Sequence, residues 1–180
     1  MGTLKNGYAF QSNKYTLNGA YNIITIANVT GERYTTNECN HIAEIPKDIQ
    51  SHQKLRENDI LISLTGNVGR VSLNKGANNL LNQRVGLFEL TDDKLREYIY
   101  QILSTPSFEK SMKNKGQGAA QMNISKYDVE DYAIPFSDNK ILINQIARLL
   151  SLLDQRIIAS QELADEYISQ KSYLLHQMFI

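Results

Sequence analysis

Residues 140–179, KILINQIARLLSLLDQRIIASQELADEYISQKSYLLHQMF, contain neither glycine nor proline, and their apolar side chains recur at heptad spacing. This pattern predicts a helix of about 40 residues, roughly 60 Å long at 1.5 Å per residue. Ser137, Asp138 and Asn139 offer side-chain oxygens for its N-cap. One heptad series is Ile146, Leu153, Ser160, Tyr167 and Leu174, and the other is Leu150, Ile157, Ala164, Lys171 and Met178.

This helix is too long for the residues that precede it to cover. We therefore expect its apolar stripe to pack against a partner helix in a coiled coil. The alternative is a kinked helix that folds back on its own domain. The predicted contact residues are the apolar and aromatic members of the two series: Ile146, Leu150, Leu153, Ile157, Ala164, Tyr167, Leu174 and Met178.

The preceding 135 residues are rich in turns and β-branched side chains. Runs at 21–29, 59–64, 70–73 and 83–90 are typical of strands, and we expect the last three to form an antiparallel meander. Gly66 and Gly69 predict a tight turn with positive φ. Residues 92–113 have a helical apolar stripe that Thr105-Pro106-Ser107 interrupts. The sequence thus predicts an α+β protein, with a mixed, β-rich globular domain at 1–135 and a long coiled-coil helix at 136–180.

The charge distribution, the cysteine content and the lengths of the apolar runs limit the partners and the cellular location that we expect. The net charge is zero, but residues 1–126 carry 15 Lys/Arg against 11 Asp/Glu, and the remainder carries 4 against 8. This asymmetry favours an anionic partner for the globular part alone. Cys39 is the only cysteine, so no internal disulfide is possible. Neither a signal core nor an apolar run of about 20 residues occurs, so we expect a soluble, cytoplasmic protein that does not enter a membrane.

Motifs for catalysis are missing from the sequence. His41, His52 and His176 lie far apart without metal-ligand spacing. There is no phosphate-binding P-loop, no dinucleotide fingerprint and no methyltransferase motif. Pro46-Lys47-Asp48 fits a nuclease pattern only by the kind of match that chance often produces. We therefore expect no catalysis, no metal and no cofactor.

Several loops instead carry side chains suited to DNA. Asn, Gln, Arg and Ser/Thr read base edges, and Lys and Arg hold phosphates. The alternative is that these are ordinary polar surface loops. The candidates lie in four segments: Gln11, Ser12 and Lys14; Thr65, Asn67 and Arg70; Gln83 and Arg84; and Lys113, Lys115, Gln117, Gln121, Asn123 and Lys126.

The order of motifs resembles the specificity subunit of type I restriction–modification systems over nearly the whole chain. Residues 5–15 are similar to that family's G-x-A-F-K-S-x-x-Y opening, and 23–29 resembles the strand that follows it. LRENDILISLTGNVG at 55–69 resembles its L-x-x-G-D-I-L-x-x-x-x-G-x-x-G segment. Further similarities are Asn82–Val85, the I-x-x-x-x-L-x-x-x-x-I-P stretch at 124–135, NQIARLLSLLDQRI and KSYLLHQMFI.

The resemblance implies a domain that docks on DNA and a helix that acts as a ruler. Such subunits usually carry two recognition domains and two helices that pair antiparallel, whereas this chain shows one of each. Asn144-Gln145 also replaces the usual acidic-Gln pair. The leading hypothesis is a half-size, non-catalytic subunit that pairs with itself, reads an inverted repeat in double-stranded DNA, and recruits methyltransferase and restriction subunits. The alternative is an assembly module that binds protein and not DNA.

Overall fold

The computed structural model describes residues 1–116 and 122–179. The chain divides into two compact units, Met1–Phe136 and Ser137–Ile180. Each unit is described by itself.

The strands of the first unit form two sheets. The four-stranded sheet has the order β1-β7-β4-β5, and its neighbouring strands are all antiparallel. The three-stranded sheet has the order β3-β2-β6, with β2 antiparallel to β3 and parallel to β6. The strands are β1 (Gly2–Asn6), β2 (Tyr21–Ile24), β3 (Asn40–Ile42), β4 (Ile60–Ser63), β5 (Val71–Leu73), β6 (Asn79–Leu81) and β7 (Val85–Leu90).

Three helices follow in the first unit: α1 (Arg96–Leu103), α2 (Pro106–Lys115) and α3 (Lys126–Glu130). The break predicted near Thr105 is confirmed: the Thr105 hydroxyl accepts a hydrogen bond from the Phe108 N–H, and Pro106 occupies the first turn of α2. Pro is tolerated there because the first N–H groups of a helix have no intrahelical partner.

The main core lies where the four-stranded sheet packs against these helices. Ile60 and Ile62 from β4 join Phe108 and Met112 from α2, and all four are fully buried. The Phe108 ring meets Tyr132 edge-on at 4.9 Å between centroids. The core therefore fixes α2 over the end of β4, next to the turn that carries Thr65 and Arg70.

The predicted meander is correct in the antiparallel pairing of β4 with β5 but wrong in placing the third strand beside β5. β4 pairs with β7 directly, and β6 leaves for the other sheet, where it runs parallel to β2. β6 was not predicted because it begins with Asn79, a residue type that is common in turns. Asn79 is buried in the strand, where its side chain donates a hydrogen bond to Asn74 and accepts one from Asn22. The predicted strand at 21–29 is also too long, since β2 ends at Ile24.

The reason for the short β2 is a local side-chain interaction. The Asn28 Oδ1 accepts from the Thr25 N–H at 2.9 Å and from the Thr25 hydroxyl at 3.0 Å. Asn side chains that bond nearby backbone in this way compete with the strand ladder and start turns. The hydrogen bonds between Asn28 and Thr25 therefore start a turn directly after Ile24, and β2 ends there.

The second unit is α4 (Lys140–Met178), a single helix of 39 residues that confirms the predicted long helix. Asn139 caps it, with its Oδ1 accepting from the Leu142 N–H at 3.1 Å. Together the two units have the predicted α+β class: a mixed, β-rich body and a long C-terminal helix. None of the described helices is long and apolar enough to cross a membrane.

Candidate nucleic-acid interface

The turn between β4 and β5 carries three of the predicted DNA-binding residues. Gly66 and Gly69 both have positive φ, at 74° and 78°, as the glycine spacing predicted. Ser63 is fully buried and closes the turn, since its carbonyl accepts from the Gly69 N–H at 2.9 Å and its hydroxyl from the Arg70 N–H at 3.1 Å. Asn67 is exposed at the tip, and Thr65 and Arg70 are half-buried.

This turn is joined to the segment around Asn123. The Gly66 N–H donates to the Met122 carbonyl and the Ile124 N–H to the Leu64 carbonyl, both at 3.0 Å. The Thr65 hydroxyl donates to the Asn123 Oδ1 at 2.7 Å. Two candidates that lie 58 residues apart in the sequence therefore touch each other.

The third segment, with Gln83 and Arg84, lies beside the same turn. The Leu64 N–H donates to the Arg84 carbonyl at 3.0 Å, and the Gln83 N–H donates to the Tyr8 carbonyl at 2.9 Å. A Cβ at Gly7 would stand 2.1 Å from the Asn82 carbonyl oxygen, so only glycine permits this approach of the two backbones. The side chains of Gln83 and Arg84 are exposed.

Gln11, Ser12 and Lys14 are exposed on the short 3₁₀ turn that follows Tyr8. A cleft of about 680 Å³ opens beside them, lined by residues 42–48 and by residues 8, 10, 11 and 13–16, including the aromatic rings of Phe10 and Tyr15. The Tyr8 hydroxyl donates to Asp48 at 2.8 Å, and this hydrogen bond raises the pKa of Tyr8. Lys47, which is not among the predicted DNA contacts, lines this cleft together with Lys14.

The lysines of the fourth segment have acidic neighbours. Lys113 lies 2.6 Å from Glu109, Lys115 3.9 Å from Asp128, and Lys126 3.6 Å from Glu130. Within the described residues, Lys14 and Arg84 have no such ion pair. The positive charge on Lys14 and Arg84 is therefore less compensated than that on the three lysines. Gln117 and Gln121 lie outside the described residues.

Glu109 was not predicted. Its Oε1 lies 2.6 Å from the Lys113 Nζ and 4.0 Å from the Arg70 Nε, so it connects two of the candidate segments. The i,i+4 spacing of Glu109 and Lys113 on a helix was a sequence signal for the first contact. The second contact depends on α2 packing over Gly69, which no local pattern indicates.

The long helix exposes the stripe that the heptads predicted. Along it, Ile146, Leu153, Ile157, Tyr167, Leu174 and Met178 are exposed, and Leu150 is half-buried. A shallow groove runs past Leu153 and Ile157 towards the small side chains of Ser160 and Ala164. In a coiled coil, four residues of one helix form the hole into which a side chain of the partner helix inserts.

Groups of acids, histidines or cysteines that could hold a metal do not occur in the described parts of the chain. A search of curated proteins gave no match.

The model of the type I restriction modification DNA specificity domain matches residues 1–166. The chain belongs to this family. The specificity-domain model covers the first unit and most of the long helix, in agreement with the resemblance seen in the motifs.

Solved structures support the same fold. The S subunit of a type I restriction-modification system from M. genitalium has a TM-score of 0.63 at 22% identity over 92% of this chain. The HsdS subunit from Thermoanaerobacter tengcongensis has a TM-score of 0.63 at 17% identity over 90% of it. A structure from a study of type I R-M complex assembly has a TM-score of 0.65 at 16% identity over 95% of it. This specificity-domain chain spans only 42%, 37% and 40% of their respective lengths.

Proposed function

We propose that this chain is a non-catalytic specificity subunit of a type I restriction–modification system, which binds double-stranded DNA at a defined sequence. The observation that carries the proposal is the specificity-domain match over residues 1–166. The first unit would read DNA and the long helix would set the spacing between recognition domains. Methyl transfer and cleavage would belong to separate methyltransferase and restriction subunits.

The joined loops support the DNA-binding part of the proposal. Thr65, Asn123 and Arg84 come from distant parts of the chain, yet hydrogen bonds hold their segments side by side. Hydroxyl, amide and guanidinium groups read base edges in the major groove. Lys14, with no ion-pair partner among the described residues, is suited to a phosphate.

The exposed stripe of α4 supports self-association. Apolar side chains at heptad spacing gain free energy when they leave water, and a second copy of the chain presents an identical stripe. A two-fold dimer would place two recognition domains at the ends of paired helices. Because the symmetry of the protein imposes itself on the site, the DNA target would be a bipartite inverted repeat.

The test is a map of modified bases in DNA from cells that express this chain with its cognate methyltransferase subunit. A methylated bipartite inverted repeat is the expected result. Methylation of an asymmetric site would contradict the two-fold dimer, and no new methylation with all proteins present and folded would contradict the assignment as specificity subunit.

DNA binding by the purified chain is tested separately on random-sequence duplexes at rising salt. Phosphate contacts release counterions, so a DNA-binding protein loses affinity as salt rises. A binding curve that does not respond to salt, or no binding at all, would favour the protein-binding alternative. Lys115→Gln and Lys14→Gln allow a matched comparison: Lys14→Gln should weaken binding more, because Asp128 compensates the charge on Lys115.

A further inference from the structure

Glu109 differs from the other acids near the candidate interface in what its carboxylate contacts. Asp128 accepts hydrogen bonds from the N–H and hydroxyl of Ser125 and so caps α3. Glu130 accepts from the Leu4 N–H at 2.7 Å and holds β1. The Glu109 carboxylate, in contrast, contacts only cations among the described residues, Lys113 at 2.6 Å and Arg70 at 4.0 Å. Glu109 therefore affects this surface through the charge of its carboxylate, next to Lys113 and Arg70.

The position of Glu109 is set by close packing. A Cβ at Gly69 would lie 3.2 Å from the Glu109 Cα and 2.7 Å from the Met112 Cβ, so α2 is held directly against the β4–β5 turn. The aliphatic part of Arg70 lies near Gly31, where a Cβ would be 3.8 Å from the Arg70 Cγ. The turn, α2 and Gly31 thus keep the guanidinium next to the carboxylate.

We propose that Glu109 lowers the affinity of this surface for DNA of any sequence by competing with phosphates for Lys113 and Arg70. The inference rests on the proposed DNA-binding function. A cation that already has a carboxylate partner gains less free energy when it binds a phosphate. The carboxylate also repels any phosphate that approaches it. Phosphate contacts supply most of the sequence-independent affinity, whereas hydrogen bonds to base edges supply discrimination. Because phosphate contacts are the same for every sequence, weakening one lowers the affinity for all DNA to about the same extent.

Glu109→Gln tests this inference, with Glu162→Gln as the control. Both changes remove one negative charge, but Glu162 is an exposed residue of α4 outside the two heptad series. Binding to a random-sequence duplex is measured by fluorescence anisotropy between about 50 and 200 mM salt. Circular dichroism confirms that both variants are folded.

The expected result is tighter binding of random DNA by Glu109→Gln and a steeper salt dependence. One additional phosphate contact changes the slope of log affinity against log salt by about 0.9, which is about a threefold to fourfold greater loss over that salt range. Glu162→Gln should retain the wild-type slope. In a Lys113→Gln background the effect of Glu109→Gln should shrink, because one of the released cations is then missing.

Several outcomes would overturn the inference. Equal behaviour of Glu109→Gln and Glu162→Gln would show that only net charge matters. Weaker binding of random DNA by Glu109→Gln would show that the carboxylate positions Arg70 for DNA and does not oppose phosphates. Wild-type protein that binds no DNA at any salt would overturn the proposed function itself, which separates that failure from a failure of the role of Glu109.

Discussion

Substituting Leu153 in the exposed stripe of α4 tests whether this face pairs with a second copy. The chain offers a close control one position away, because Leu152 has the same side chain, the same helical surroundings and nearly the same exposure, 52% against 51%. Leu153 belongs to the heptad series, whereas Leu152 is rotated about 100° from it around the helix. Leu153→Ala and Leu152→Ala therefore change helix propensity equally and differ only in the face affected.

The expected effect follows from the exposed half of Leu153. Full burial of a leucine side chain is worth about 1.5–3 kcal/mol, so burying the remaining half contributes about 1 kcal/mol. In a two-fold dimer the substitution occurs twice and costs about 2 kcal/mol, or about 30-fold in the dissociation constant. Adding Ile157→Ala, which is exposed to a similar extent, brings the cost to about 4 kcal/mol, or about 1,000-fold.

Sedimentation equilibrium over a range of protein concentrations measures these constants directly. We expect Leu153→Ala to shift the dimer to higher concentrations and Leu152→Ala to leave it unchanged. Equal effects of the two substitutions would refute the heptad face as the dimer interface. A wild-type chain that stays monomeric at every concentration would show that another partner covers the stripe.

Three further predictions concern stability. Arg33→Ala should lower the free energy of unfolding by about 3 kcal/mol in urea denaturation, because the largely buried guanidinium pairs with Glu97 through its two terminal nitrogens and lies over Tyr34 and Tyr100. Lys5→Ala, which breaks an exposed pair with Glu89, should cost under about 1 kcal/mol. Gly69→Ala should destabilise the protein more than Gly76→Ala in thermal melting. Both glycines have positive φ, which costs an alanine about 1–2 kcal/mol, but only at Gly69 does the new Cβ clash with Met112, at 2.7 Å. Hydrogen bonds from the Ser125 N–H and hydroxyl lower the pKa of Asp128. The ionised carboxylate therefore stabilises the fold above the ordinary carboxylate pKa, and this stabilisation is lost as the pH falls through the lowered pKa. Asp128→Asn should destabilise the protein at neutral pH but not in strong acid.

The long helix and the break at Thr105 were predictable because their signals are local. Heptad spacing, an absence of glycine and proline, and a capping residue all lie within a few turns of the structure that they determine. The positive φ angles at Gly66 and Gly69 followed from the same kind of short-range information.

Strand pairing was less predictable because it depends on residues far apart in the chain. β6 pairs in parallel with β2, some 57 residues earlier, and the buried amide of Asn79 bonds to Asn22 across that pair. Asparagine is typical of turns in a sequence, and only a partner from another segment satisfies it inside a sheet. The ion pair of Arg70 with Glu109 was hidden for the same reason.

The candidate interface separates residues that hold loops from residues that face solvent. Ser63 and Asn82 are buried, and their side chains accept from the backbone of Arg70 and Arg84, respectively. Removing either would leave buried groups without partners, which costs stability. The side chains of Asn67 and Gln83 are exposed, and within the described parts of the chain neither forms a comparable hydrogen bond to the turn that carries it. Under the proposed function, we expect exchanges at such exposed positions to change which bases are contacted, while the buried polar groups keep the loops in place.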